Sequence, residues 1–332
     1  MTEPLEGESE TLDTRTVQET ETLDARTVRE WGRRYSNWGR FGDDDERGTV
    51  NFITPARVLA ALQLPRLGRV ISCGLPFERN GPARGNRFNP IHTMLVDGGD
   101  AISGAQKHPG GFCYADDAVS MPLQCCTQWD SLAHVFYDGK MYNDRDVALV
   151  SSDGAAANSI DKLRDGVVGR GVLLDVARHR GVRWLEDGEA ISPEELDACA
   201  ERQGVTVEAG DIVLLRTGKV TRHQEAGSWD GYVGPTPGLS LHAARWIFER
   251  QVAAVASDTF CVEVLPHETP DCTMPLHMVS LRNTGLLLGE MFQLDELADA
   301  CAEDGEYAFL FTAPPLPITG AVGSPINPLA IK

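Results

Sequence analysis

No apolar stretch in the chain approaches the roughly 20 residues a bilayer-spanning helix needs. The longest, such as 285–289 and 307–315, stop well short, so no membrane span is expected. Positive charge is also scarce. Thirty Lys and Arg face 49 Asp and Glu, a net charge of −19, and such a surface repels phosphate backbones rather than releasing their counterions. Nucleic acid is therefore excluded as a partner. The eight cysteines contain no C-x-x-C pair, which argues against a zinc ribbon or a disulfide framework and for small buried hydrophobes in a reducing compartment. No basic segment followed by an apolar one opens the chain, which is acidic from Glu3 onward. A secretory signal is thus not expected, and the expected location is the cytoplasm. Neither a G-x-G-x-x-G nor a Walker-type loop stands at a strand-to-helix junction, which argues against a nucleotide. What is present is a chain of 332 residues at 42% hydrophobic content, enough for one sizeable core or two small ones.

Residues 1–30 hold nine acidic and three basic side chains and no aromatic one, with a near-duplication of 10–18 (ETLDTRTVQ) at 21–29 (ETLDARTVR). The composition reads as an acidic flexible tail. The spacing of Leu12, Val17, Leu23 and Val28 also suits one stripe of a loosely docked helix. Composition changes at Trp31, where the globular domain, 31–332, is expected to begin. Thr54-Pro55 caps a helix over 56–63, and Ser192-Pro193 with Glu195 opens another over 192–203. Further helices are expected at 241–251 and 294–303. The apolar runs 171–176, 211–216, 252–257, 286–288 and 308–312 read as strands buried on both faces. Strands and helices intermix without a regular βαβ rhythm, so the expected class is an irregular α/β or α+β domain. The proline-rich carboxyl end is expected to run extended as an edge segment.

The densest run of functional side chains is 124–134, Gln-Cys-Cys-Thr-Gln-Trp-Asp-Ser-Leu-Ala-His. Buried Gln, Asp and His all need hydrogen-bond partners. On its own the segment is either a site around a cavity or a self-satisfied structural network. His134 lies between apolar neighbours and is either a satisfied core histidine or a proton-transfer group four residues past Asp130. His92 is a weaker candidate for the same pocket. Trp129, Phe88, Phe136 and Tyr137 are either an apolar substrate wall or core. Asp258-Thr259 is either a cleft edge or a strand-end turn, and the remaining histidines are read as surface or structural.

The run 124–134 resembles the signature H-x-G-T-H-x-D-x-x-x-H of the cyclase family of metal-dependent amide hydrolases, which includes bacterial kynurenine formamidase and isatin hydrolase. It matches at Thr127, Asp130 and His134. The likeness extends to Asn37-Trp38-Gly39, to 44–51, to 134–143, to the late pair His277 and Glu290, and to the closing 317–330, covering about 31–332. It implies an α/β, swivelling β/β/α cyclase-like fold with mixed and antiparallel sheets, assembled as a homodimer or homotetramer.

The resemblance further implies that Asp130, His277 and Glu290 hold a metal and that His134, with Asp130 and Glu290, carries the catalysis. Gln124, Gln128, Thr127, Trp129, His92, Phe88 and Tyr137 are expected to bind substrate. The chain departs from the family where Gln124 and Gln128 replace two metal-binding histidines. Imidazole is the preferred zinc ligand and an amide oxygen is a weak one, so the expected cofactor is either none or a divalent metal, manganese or magnesium rather than zinc. Three outcomes stay open: a site for a harder ion, a metal-free site, or a relic that binds a small molecule without catalysis. The implied activity is hydrolysis of a C–N bond in a cyclic or formylated amide. The alternative is a metal-independent lyase, dehydratase or cyclase acting on a carbonyl compound in secondary metabolism.

Overall fold

Short runs of Val, Leu and Ile without polar alternation suit strands covered on both faces. The computed structural model describes residues 23–332, and among them these runs form the centre of a nine-stranded sheet. Its strands are β1 (Val70–Ser72), β2 (Gln128–Asp130), β3 (Val168–Asp175), β4 (Ile212–Arg216), β5 (Ala254–Ser257), β6 (Leu287–Glu290), β7 (Ala308–Thr312), β8 (Gly323–Pro325) and β9 (Leu329–Ile331). Across the sheet the order is β1-β9-β7-β3-β4-β5-β6-β2-β8. Neighbours from β3 to β6 pair in parallel, and the flanking pairs are antiparallel. The chain is thus a mixed α/β fold of the expected class.

Helices cover both faces. On one, Val172, Leu174, Val213, Leu215 and Val255 pack with Leu196, Trp246 and Ile247. These come from the helices Pro193–Gln203 and Ala243–Arg250. On the other face Leu173, Leu214, Ala256, Phe309 and Phe311 pack against Leu297 and Cys301 of the helix Asp295–Asp304. Helix starts follow the local chemistry. Ser192 Oγ accepts from Glu195 N at 3.3 Å, and Thr54 Oγ1 accepts from Arg57 N at 3.4 Å ahead of the helix Pro55–Ala61.

The helix α1 (Ala25–Arg34) runs across the expected boundary between 30 and 31. Asp24 caps it by accepting from Thr27 N at 2.7 Å, and Val28, Trp31 and Tyr35 place a stripe in the first core. Its second sequence repeat therefore supplies a cap and a core contact, while the tail or helix expected over 1–22 lies outside the described residues. The carboxyl end is extended as expected. β8 takes the sheet edge beside β2, but β9 lies inside the sheet between β1 and β7, where Ala330 is fully buried.

A separate hairpin of Ile91–Val96 and Asp116–Ser120 exposes nearly every residue, Ile91, Met94, Leu95 and Val119 among them. Among the described residues no helix is long and apolar enough to cross a membrane. All eight cysteines are free thiols, and Cys125 and Cys126 are both buried.

Candidate active site and metal centre

The centre is built where β2 and β6 pair antiparallel, with Gln128 opposite Glu290, Trp129 opposite Gly289 and Asp130 opposite Leu288. Strand alternation sends Gln128 and Asp130 to one face and Trp129 to the other. Trp129 packs there on Phe292 and donates from Nε1 to Ala313 O at 2.8 Å. Any Cβ at position 289 would collide with its ring, so the strand carries glycine opposite it. On the working face Gln128 Nε2 donates to Glu290 Oε2 at 2.7 Å and stands 3.4 Å from Asp130 Oδ1.

His277 arrives from the short helical turn Pro275–His277, which continues as a π-helix over Met278–Thr284. Glu263 holds that turn. Its carboxylate accepts from the backbone N–H of Leu276 at 3.2 Å and of His277 at 3.0 Å, and meets His277 Nδ1 at 2.5 Å. His267 Nδ1 lies 3.6 Å from the same carboxylate. The other ring nitrogen, Nε2, faces Glu290 Oε1 at 3.3 Å.

Asp130, His277 and Glu290 are all buried, and each offers a ligand atom within 4.8 Å of the others. His134 stands at their edge with its side chain 24% exposed, Nε2 3.8 Å from Asp130 Oδ1. A cavity of about 350 Å³ opens here, lined by His134, His277, Glu290, Arg84, Arg87 and the apolar Phe260 and Met291, among others.

Burial and the charge of Asp130 push Glu290 up to about 7, against the pull of His277. Burial alone would drive the His277 proton off, but hydrogen bonds to Glu263 and Glu290 overrule it and raise the imidazolium to about 10. Burial likewise opposes ionisation of Glu263, yet its bonds to His267 and His277 bring it down to about 2.

Two observations test whether the residues fit a cation. Asp130 Oδ2 and Gln128 Oε1 are buried acceptors with no donor. Asp130 and Glu290 are buried carboxylates brought together at the centre, and burial with the charge of Asp130 already pushes Glu290 toward its protonated form, a cost that a cation between them relieves. A divalent cation fits both. Nδ1 tied to Glu263, leaving Nε2 for the ion, is the usual way a carboxylate orients a ligating histidine. Replacing Glu263 with glutamine is therefore expected to weaken Mn²⁺ binding about 10- to 100-fold. Titration calorimetry checks this, and an unchanged affinity would contradict the positioning role.

The structure brings Gln128, Asp130, His134, His277 and Glu290 together. Gln124 places its Nε2, a buried donor without a hydrogen-bond partner, beside Gly323, the residue paired with Asp130. Five expected substrate-binding residues lie elsewhere. Trp129 is core on the far face. Thr127 Oγ1 is committed to Met291 O and Leu75 N at 2.6 and 2.8 Å. Tyr137 Oη donates to Asn283 Oδ1 at 2.6 Å, in a different pocket. His92 sits on the exposed hairpin beside Asp117 at 2.8 Å, and Phe88 is exposed and outside the cavity lining.

Asp258 is structural, accepting from Thr217 N, Thr217 Oγ1 and Gly218 N. Sequence reasoning missed Glu263, Arg84 and Arg87. Glu263 stands 14 residues before His277 in an irregular stretch, where no periodicity marks a partner.

The fold and this buried carboxylate–imidazole centre define an α/β protein with a ligand set of metal-site type. The family model described as "Putative cyclase" matches residues 49–264, and the chain belongs to that cyclase family. A crystal structure of a novel cyclase is 38% identical, superposes with a TM-score of 0.85, and the match covers 91% of this chain and 99% of the other. The fold is shared with isatin hydrolase A from Ralstonia solanacearum, at 20% identity and TM-score 0.57 over 83% of this chain and 94% of that one. It is also shared with isatin hydrolase A from Labrenzia aggregata bound to benzyl benzoate, at 19% identity and TM-score 0.57 over 79% and 93%. No curated protein sequence matches.

Proposed function

We propose that this cyclase-family chain hydrolyses the C–N bond of a cyclic or formylated amide in the cavity beside Asp130. The observation that supports this reading most is the closure of buried Asp130, His277 and Glu290 to within 4.8 Å beside the partly exposed His134. Asp130, His277 and Glu290 would hold a divalent cation, Mn²⁺ or Mg²⁺ rather than Zn²⁺, which when bound polarises a carbonyl and acidifies water. His134 takes a proton from the attacking water and returns one to the leaving nitrogen, a role suited to an imidazole at the cavity edge. Asp130 orients that imidazole, and Gln128 fixes the Glu290 carboxylate through its amide N–H. Apolar Phe260 and Met291 narrow the water around the scissile bond.

A panel of isatin-type cyclic amides and N-formyl aromatic amines, assayed with and without a chelator, tests the proposal. Turnover that chelation removes and Mn²⁺ restores supports it, whereas no turnover of any member counts against it. A metal-independent lyase, dehydratase or cyclase is the second reading. It is favoured by the hydrogen bonds that already tie Gln128, His277 and Glu290 together, and chelator-resistant turnover of a carbonyl compound without net hydrolysis would select it. A homodimer or homotetramer belongs to the same proposal, since a second copy would cover the exposed apolar side chains of the 91–120 hairpin. Sedimentation at monomer mass would contradict that part.

A further inference from the structure

The cavity carries two guanidinium groups to which neither the metal centre nor the proton transfer assigns a role, although the charge of Arg87 reaches Glu290 and favours its ionised form. Arg84 and Arg87 both line it, on the segment Gly81-Pro82-Ala83-Arg84-Gly85-Asn86-Arg87. Arg84 is anchored by its own loop, Nη1 donating to Gly81 O at 2.9 Å and Ala83 O at 2.8 Å. Its carboxylate contact is with Asp230, itself 89% exposed, at 3.6 Å, a pair worth little in water.

Arg87 is the less committed of the two. It is partly buried, Nη1 donates to Gln124 O at 3.0 Å, and among the described residues no carboxylate lies within ion-pair distance of it. In a chain of net charge −19, a guanidinium held in a cavity wall without a carboxylate partner is out of keeping with the surface around it. Most of its N–H donors stay free, in the fork geometry that matches a carboxylate. The same cavity presents Glu290, with the buried Asp130 next to it, and these carboxylates would repel an anionic ligand. The Arg87 cation offsets that repulsion and fixes which end of the ligand faces the reacting centre. Apart from Asn86, the rest of the lining, Val135, Val233, Phe260, Met274 and Met291 among it, is apolar or glycine.

We propose that Arg87, supported by Arg84, is a specificity-determining clamp for an anionic group, so that the substrate is a small, partly aromatic or aliphatic amide bearing a carboxylate away from its scissile bond. This rests on the reading of the cavity as an amide-hydrolase site, and it adds the substrate class. The neutral Gln124 carbonyl on Nη1 fixes the guanidinium without discharging it, leaving its charge for the ligand.

The test is equilibrium binding of benzoate and of its neutral isostere nitrobenzene to the full chain, wild type and Arg87→Met. Wild type is expected to bind benzoate at least about tenfold more tightly, the scale of one desolvated charge-assisted pair. Arg87→Met should bring the two ligands to parity, and Arg87→Lys should recover part of the difference. Equal affinities in wild type overturn the proposal. So does a preference that survives intact in Arg87→Met, because benzoate would then be held by the metal centre. The wild-type comparison stands even if Arg87→Met fails to fold.

Turnover of N-formyl-2-aminobenzoate and of formanilide separates this proposal from the one beneath it. Turnover of neither, with benzoate still preferred through Arg87, removes the hydrolase reading and leaves the clamp. Turnover of both with equal KM removes the clamp and leaves the hydrolase.

Discussion

Replacing His134 with alanine is expected to lower kcat by roughly 10²- to 10⁴-fold, the span seen when a general acid–base group is removed, with KM changed far less. The imidazole lines the cavity with its side chain 24% exposed, 3.8 Å from Asp130. Its neighbours Leu132 and Ala133 carry the packing of that segment. Removing it therefore leaves the core intact, and a melting temperature within a few degrees of wild type is the control. A His134→Ala variant that keeps wild-type kcat on an amide substrate would show that the proton moves elsewhere. One that unfolds would return His134 to the ordinary role of a core histidine.

The second large effect concerns the two glutamines. Gln124→His with Gln128→His is expected to raise zinc affinity by about 10²-fold or more, because imidazole donates far more strongly to zinc than a neutral amide does. Most of the gain should come from position 128. Gln128 lies among the ligands, 2.7 Å from Glu290 and 3.4 Å from Asp130. The Gln124 amide stands beside Gly323, its Nε2 hydrogen-bonded to no ligand oxygen, so Gln124→His alone should change affinity less. Competition with a zinc-sensitive dye measures both. A double variant that binds zinc no better than wild type would mean that the backbone around β2 holds side chains in a geometry no tetrahedral zinc accepts.

Much of this centre was legible in the sequence because its residues obey local rules. The runs 171–176, 211–216 and 252–257 are apolar at their centres, with Asp175, Asp211, Arg216 and Ser257 confined to the ends or next to them, the pattern of strands covered on both faces, and β3, β4 and β5 lie there. Thr54 and Ser192 announced their helices through the caps they form. Asp130 and His134 match the signature and His277 and Glu290 the late pair of the resemblance, and the antiparallel register of β2 with β6 explains why residues 160 apart meet.

Other parts had no local mark. The sequence leaves Trp129 as substrate wall or core because no strand is legible at 128–130, and only with β2 in place does alternation turn it away from Gln128 and Asp130. His92 belongs to a hairpin outside the main sheet and does not line the cavity, a placement no local pattern encodes. Glu263, Arg84 and Arg87 come from irregular segments whose approach to the cavity depends on the tertiary path of the chain. No periodicity encodes that path. The boundary drawn at 30 rested on charge and on missing aromatics, while a helix asks only for a cap and a stripe, and Asp24 with Val28, Trp31 and Tyr35 supplies both.

The central claim is that Asp130, His277 and Glu290 form one centre for a hard divalent cation. Titrating metal-stripped protein with Mn²⁺, followed by the loss of its free-ion electron paramagnetic resonance signal, tests this most directly, in wild type and in Asp130→Asn. The expected result is one ion bound per chain in wild type, weakened at least tenfold in Asp130→Asn, with no stoichiometric zinc in the protein as purified. No Mn²⁺ binding in wild type, equal binding in the variant, or one tightly held zinc per chain would contradict it.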